Sequence, residues 1–175
     1  MKPDLDKLKE RISANRDLVD RITRQLPGYE GYVEKTEMYN ADRIVREYSA
    51  GQLKKLKDEL ESHSAELFRA KRTAILPDLE PLTLLIEKVY KKCLHADYGS
   101  TASLSRIKLG PDDMNRLLEY DWRLVDRLSS VGGMTGSLES LADDELKKKY
   151  GEIKNVIRDF DKALDDRKDV IMEVI

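Results

Sequence analysis

An all-α fold follows from three observations. Apolar residues recur at alternating three- and four-residue spacing through most of the chain. Charged residues make up 38% of the 175 residues and aromatics only 6%, so the surfaces are charged and the core is aliphatic. No stretch alternates apolar and polar residues with the period of two that a half-buried strand needs. The expected architecture is an elongated antiparallel helical bundle of about five helices, two of them long and coiled-coil-like, forming a single domain over residues 1–175.

Residues 4–26 carry Leu5, Leu8, Ile12, Val19, Ile22 and Leu26 on one helical stripe, with Asn15 in the remaining slot. Asp4, Asp6 and Glu10 lie near its start, and Arg21 and Arg24 near its end, as the helix dipole favours. Pro27 and Gly28 stop this helix, and Gly31 is placed for a second sharp bend. A long helix, or two nearly in line, is expected from Val33 to Ala74. Its first half repeats on Met38, Ala41, Val45 and Tyr48. Its second half repeats on Leu53, Leu56, Leu60, His63, Leu67, Ala70 and Ala74. The step from Tyr48 to Leu53 changes the phase of the stripe, and Gly51 lies inside it, so a kink, a stutter or a change of packing partner is expected there.

Pro77 and Pro81 mark a break, with Pro81 suited to the first turn of a third helix that reaches Ala96. Residues 97–110 read as a loop of small residues. "GPDDM" opens a fourth helix with Pro111 and two acids, ending near Val131. "GGMTGS" is a second loop, and Ser137 is the expected N-cap of a last helix reaching nearly to the end of the sequence.

The composition sets aside several functions. Thirty-two Lys and Arg balance 34 Asp and Glu, which disfavours a nucleic-acid binder. The single cysteine, Cys93, rules out an intrachain disulfide and fits a cytoplasmic location. The N-terminal stretch has no apolar signal core, and no run approaches the ~20 apolar residues of a membrane span. His63 and His95 lie on separate helices without the Glu-x-x-His spacing of a di-iron bundle, so no metal and no cofactor is expected. Cys93 reads as a buried small hydrophobe, and His63 as a hydrogen-bonded packing residue. No nucleophile set is recognisable. "VGGMTGS" lacks the Gly-Lys-Ser/Thr ending of a phosphate loop.

Asp121 stands out. It occupies the missing position of the stripe formed by Met114, Leu117, Leu124, Leu128 and Val131. A carboxylate there needs a partner, and Arg43, Arg46 or groups of the 97–110 loop are the candidates. The turn "LPGYEGY" is the other distinctive feature. Its two tyrosines read as a structural corner, folded inward with wet hydroxyls, or alternatively as an exposed binding hot spot.

The stretch "LPGYEGYVEKTEMYNADRIVREY" resembles a motif of a family of small helical prokaryotic proteins of uncharacterised function. There a Pro-Gly-Tyr-x-Gly-Tyr turn leads into a helix with an Ala-Asp-basic core. "HADYGSTASLSRIKLGPDDMNRLLEYDWRLVDRL" is similar to a second family segment, with Leu117 and Asp121 matching its Leu-x-x-x-Asp helix. This chain has Ser100 and Thr101 where that pattern carries a further aromatic and glycine. The resemblance implies no activity. It implies that Tyr29, Tyr32, Asp42, Arg43, Tyr98 and Asp121 form one packed or binding patch, with Arg46 as a further candidate.

The function expected is therefore a non-enzymatic helical scaffold or protein-interaction adaptor, with a protein partner or a homo-oligomer. One alternative is a peripheral membrane scaffold using the basic runs at 53–57, 69–72 and 147–149. Another is a small-ligand binder or enzyme centred on Tyr29, Arg43 and Asp121.

Overall fold

The computed structural model describes residues 16–34, 38–95 and 111–174. The described residues are all-helical and contain no strand. They form six α-helices and two single 3-10 turns. The helices are α1 (Arg16–Gln25), α2 (Tyr29–Glu34), α3 (Met38–Arg69), α4 (Leu76–Leu94), α5 (Pro111–Val131) and α6 (Asp143–Val174). The expected stretch before Arg16, with Asn15, and the 97–110 loop lie outside the described residues.

Several boundaries differ from the sequence reading for physical reasons. Gly28 has φ +91°, so it does end the first helix in the left-handed region. Gly31, by contrast, makes no second bend and lies inside α2. Helix α3 passes through Gly51 without a break. Ser49 and Ala50 are buried in the apparent gap between Tyr48 and Leu53, so small residues carry the inner face across it. At the far end of α3, Lys71 adopts φ +59° and the Arg72 amide donates to the Leu67 carbonyl over 2.9 Å, a left-handed helix stop without glycine.

Helix α4 starts a turn earlier than expected. Pro77 takes the first turn, where its missing amide costs nothing, and Pro81 lies inside the helix. Ser137 makes no side-chain cap. Leu138–Ser140 is a 3-10 turn, and α6 begins at Asp143, where the Glu145 carboxylate accepts from the Ala142 amide over 3.0 Å.

The chain divides into two compact units. Among the described residues, unit 1 holds 16–34, 38–48, 111–125 and 163–174, and unit 2 holds 49–95 and 126–162. Inside unit 1, Val19, Ile22, Val45, Leu117, Leu124 and Ile171 are buried from four helices, α1, α3, α5 and α6. Inside unit 2, Leu53, Leu60, Leu82, Ile86 and Ile153 make an aliphatic core joined by the rings of Phe160 and Tyr150. Ion pairs in unit 2 set helix directions. Lys147–Asp78 (3.7 Å) and Lys92–Asp161 (2.7 Å) advance together along α4 and α6, so these two neighbours run in the same direction.

Candidate functional site

The deepest polar feature of unit 1 is a chain of four charged side chains and one phenol. Gly28 turns the backbone so that Tyr29 enters α2 pointing inward, its amide donating to the Leu26 carbonyl over 3.1 Å. The Tyr29 hydroxyl donates to one oxygen of Asp121 on α5. The other Asp121 oxygen accepts from Nε of Arg167 on α6. Arg167 Nη1 then donates to Asp42 Oδ1 on α3. Asp42 Oδ2 accepts from Nε of Arg46, one turn further along α3, over 2.6 Å. Tyr29, Asp121 and Arg167 have no exposed surface, and Asp42 is buried.

Two carboxylates and two guanidinium groups alternate along this chain, so its formal charge cancels, and each carboxylate oxygen has its own donor. Burial pushes the Asp121 carboxyl up, and the Arg167 charge beside it pulls the other way. Burial, followed by the Asp121 charge, holds the Tyr29 phenol well above its ordinary value. The phenol is therefore a permanent donor at neutral pH. Such an arrangement clamps three helices and the α2 turn together. It leaves no atom of Tyr29, Asp121 or Arg167 for a ligand to reach.

Of the residues singled out from sequence, Tyr29, Asp42, Arg46 and Asp121 are brought together here. Arg43 is not among them. It lies on the outer face of α3, 3.8 Å from Glu47, with 46% of its side chain exposed. Tyr32 is half-buried, and Tyr98 lies outside the described residues. Two expectations need correction. The Tyr29 hydroxyl is dry, because Asp121 replaces water as its partner. Asp121 pairs with Arg167, not with Arg43 or Arg46. Arg167 was missed in the sequence although its signal was there, because it fills the slot between Leu164 and Ile171 on the α6 stripe.

Unit 2 holds a second buried polar pair. His63 Nε2 lies 2.7 Å from the Tyr150 hydroxyl, with the rings edge-on at 69°. Burial and the Arg72 charge push the His63 imidazole down, and burial pushes the Tyr150 phenol up to about 12. His63 borders two clefts of about 290 and 190 Å3 that share Glu66 and Glu139. A third opening, a groove of about 440 Å3, runs between the second half of α3 and α4. Among the described residues no three His, Cys, Asp or Glu side chains converge as metal ligands, and Cys93 is buried.

Several charges of the basic runs are paired with nearby carboxylates. Lys54 pairs with Asp58 at 2.7 Å, Lys57 with Glu87 at 3.1 Å, Arg72 with Asp143 through Nε at 2.9 Å, and Lys149 with Glu152 at 3.0 Å. Among the described residues no helix is long and apolar enough to cross a membrane.

No family model, curated protein or solved structure matches this chain.

Proposed function

We propose that the protein is a non-enzymatic helical scaffold, a protein-interaction module in the cytoplasm that works by presenting helix faces to a protein partner. In this reading its helices form a bundle with coiled-coil-like seams, mixing parallel and antiparallel neighbours. The observation that carries the reading is the exposure of Phe68 and Leu84, 68% and 62%, on neighbouring helices of unit 2. Large apolar side chains left outside a filled aliphatic core are what a docking surface requires. The buried Tyr29–Asp121–Arg167–Asp42 chain supports the same reading from the inside. Its groups are spent on holding helices and are out of reach of a substrate. The turn and the Ala-Asp-basic motif behind the family resemblance then act as one half of that clamp.

The test is gentle affinity purification of the full chain from its native cell, with soluble and membrane fractions read separately by mass spectrometry, and sedimentation of the purified chain. A stoichiometric protein partner or a stable homo-oligomer is the expected result. Recovery as a lone monomer would overturn the proposal. Recovery with membranes and no protein partner would favour the peripheral membrane scaffold.

A further inference from the structure

Resting on that reading, we infer that the groove between α3 and α4 in unit 2 receives an amphipathic helix of a partner protein carrying lysine or arginine beside its apolar stripe. The groove is walled by Leu60, Glu61 and Ser64 on one side and by Leu76, Glu80 and Thr83 on the other. Its volume of about 440 Å3 lies in the range that real ligand and side-chain pockets occupy.

Two large exposed apolar residues lie one helical turn from its lining residues. Phe68 is one turn beyond Ser64 on the same face of α3. Leu84 follows Thr83 and is one turn beyond Glu80 on α4. Singly, an exposed Phe or Leu needs no explanation. Here each is one turn from a residue that lines the same groove, and the two are spaced along its length. The Lys57–Glu87 pair sets the antiparallel register of the two helices, which puts Leu84 level with Leu60. Phe68 is then about eight residues further along α3, roughly 12 Å at ~1.5 Å per residue. Apolar side chains two turns apart on a docked helix span that same distance, which is how helix-in-groove partners anchor.

Charge selects the partner. Glu61 and Glu80 are the charged groups among the groove-lining residues, and no cation lines it. Lys57 stands at one end, 3.6 Å from Glu61, and leaves exposed Glu80 on the opposite wall. Glu61 already has Lys57 as its partner, so Glu80 is the group that attracts a basic flank of a docked helix and repels an acidic one.

The experiment uses two synthetic amphipathic peptides with identical leucine stripes, one flanked by lysines and one by glutamates, titrated into the full chain by fluorescence anisotropy. The lysine peptide is expected to bind, and the glutamate peptide to bind at least about tenfold more weakly. The double variants Phe68→Ala/Leu84→Ala and Glu61→Lys/Glu80→Lys are each expected to weaken the lysine peptide by about tenfold or more. Circular dichroism should show unchanged helix content, since Phe68 and Glu80 are exposed and Glu61 is a surface residue. Failure of the lysine peptide to bind, equal binding of both peptides, or binding indifferent to all four substitutions would overturn the inference. So would anionic-vesicle binding that disappears in Phe68→Ala/Leu84→Ala and strengthens in Glu61→Lys/Glu80→Lys, which would assign this face to a membrane. A natural partner that still binds the Phe68→Ala/Leu84→Ala chain would remove the groove and leave the scaffold reading standing. Absence of any partner would remove both.

Discussion

Cutting the Asp121 carboxylate away would strand the Arg167 guanidinium inside unit 1 with one of its two anionic partners gone, and would leave the Tyr29 hydroxyl without an acceptor. Breaking one side of a buried ion pair costs about 3–5 kcal/mol, much more than a surface pair contributes. Asp121→Ala is therefore expected to lower the urea midpoint and the Tm sharply, whereas Tyr29→Phe, which removes one neutral donor, should cost about 1–3 kcal/mol. An Asp121→Ala chain that melts with the wild type would dismiss the clamp. The same residues show what was legible beforehand. Asp121 was readable because it interrupts an otherwise apolar stripe, and Arg167 interrupts the α6 stripe between Leu164 and Ile171 in the same way. Two opposite charges, each alone on an apolar face, are a pairing signal. The guanidinium was overlooked because arginine is so common on the surface of a chain with this many charges. The choice of partner was not legible. It depends on which helices lie side by side, and periodicity reports only which face of each helix is inward.

At the scale of single helices, most starts and stops were readable, and the misses share one cause. Proline and glycine have meanings that depend on position. Pro81 looked like a helix start because it is compatible with a first turn, but Pro77 is too, and the earlier one is used. Gly51 looked like a hinge because it coincides with a phase step, yet buried Ser49 and Ala50 carry the helix through. Glycine in a helix interior loses backbone entropy on folding without any return in packing. A Cβ at Gly51 would meet nothing within 4 Å, so Gly51→Ala is expected to stabilise the chain by about 0.5–1 kcal/mol. Gly28 also has open space around it, but its φ of +91° is one that an alanine adopts only under strain. Gly28→Ala should therefore destabilise by about 1 kcal/mol or more. Thermal melts of the two variants should move in opposite directions. A Gly51→Ala chain with a lower Tm would mean that the helix does flex there.

For the whole molecule, the two units carry different polar devices, and acid should separate them. Unit 2 depends on His63, whose imidazole is held below its ordinary value by burial and by Arg72, with Glu139 opposing weakly. The unfolded chain takes up that proton near pH ~6.5, and the folded chain resists it. More protons bind to the unfolded state in this window. The stability His63 contributes is thus complete above about pH 6.5 and is lost as pH falls through that value toward the lower folded one. The carboxyls of Glu87 and Asp161 are also pushed down, for Asp161 because its burial is outweighed by Lys92 and Lys88 together and for Glu87 by its hydrogen bonds to Lys91 and Lys57, but they start from 4.5 and 3.8. Their contributions survive until more acid conditions. Asp121 in unit 1 is shifted the opposite way, upward by burial, so its protonation adds no loss as pH falls. Between about pH 6.5 and 5, then, the loss belongs to His63 and should appear first in unit 2. Helix α4 lies wholly in unit 2 and α1 wholly in unit 1, so their amides report separately. Hydrogen exchange corrected for intrinsic rates should quicken in α4 over this range while α1 holds. Asp121→Asn at pH 7 should produce the reverse order. In His63→Gln, which keeps a hydrogen-bonding group near the Tyr150 hydroxyl without titrating, the acid response of α4 should flatten. Equal acceleration of α1 and α4, or an unchanged acid response in His63→Gln, would mean that the two polar clusters do not act as separate local anchors and that the chain opens as one cooperative body.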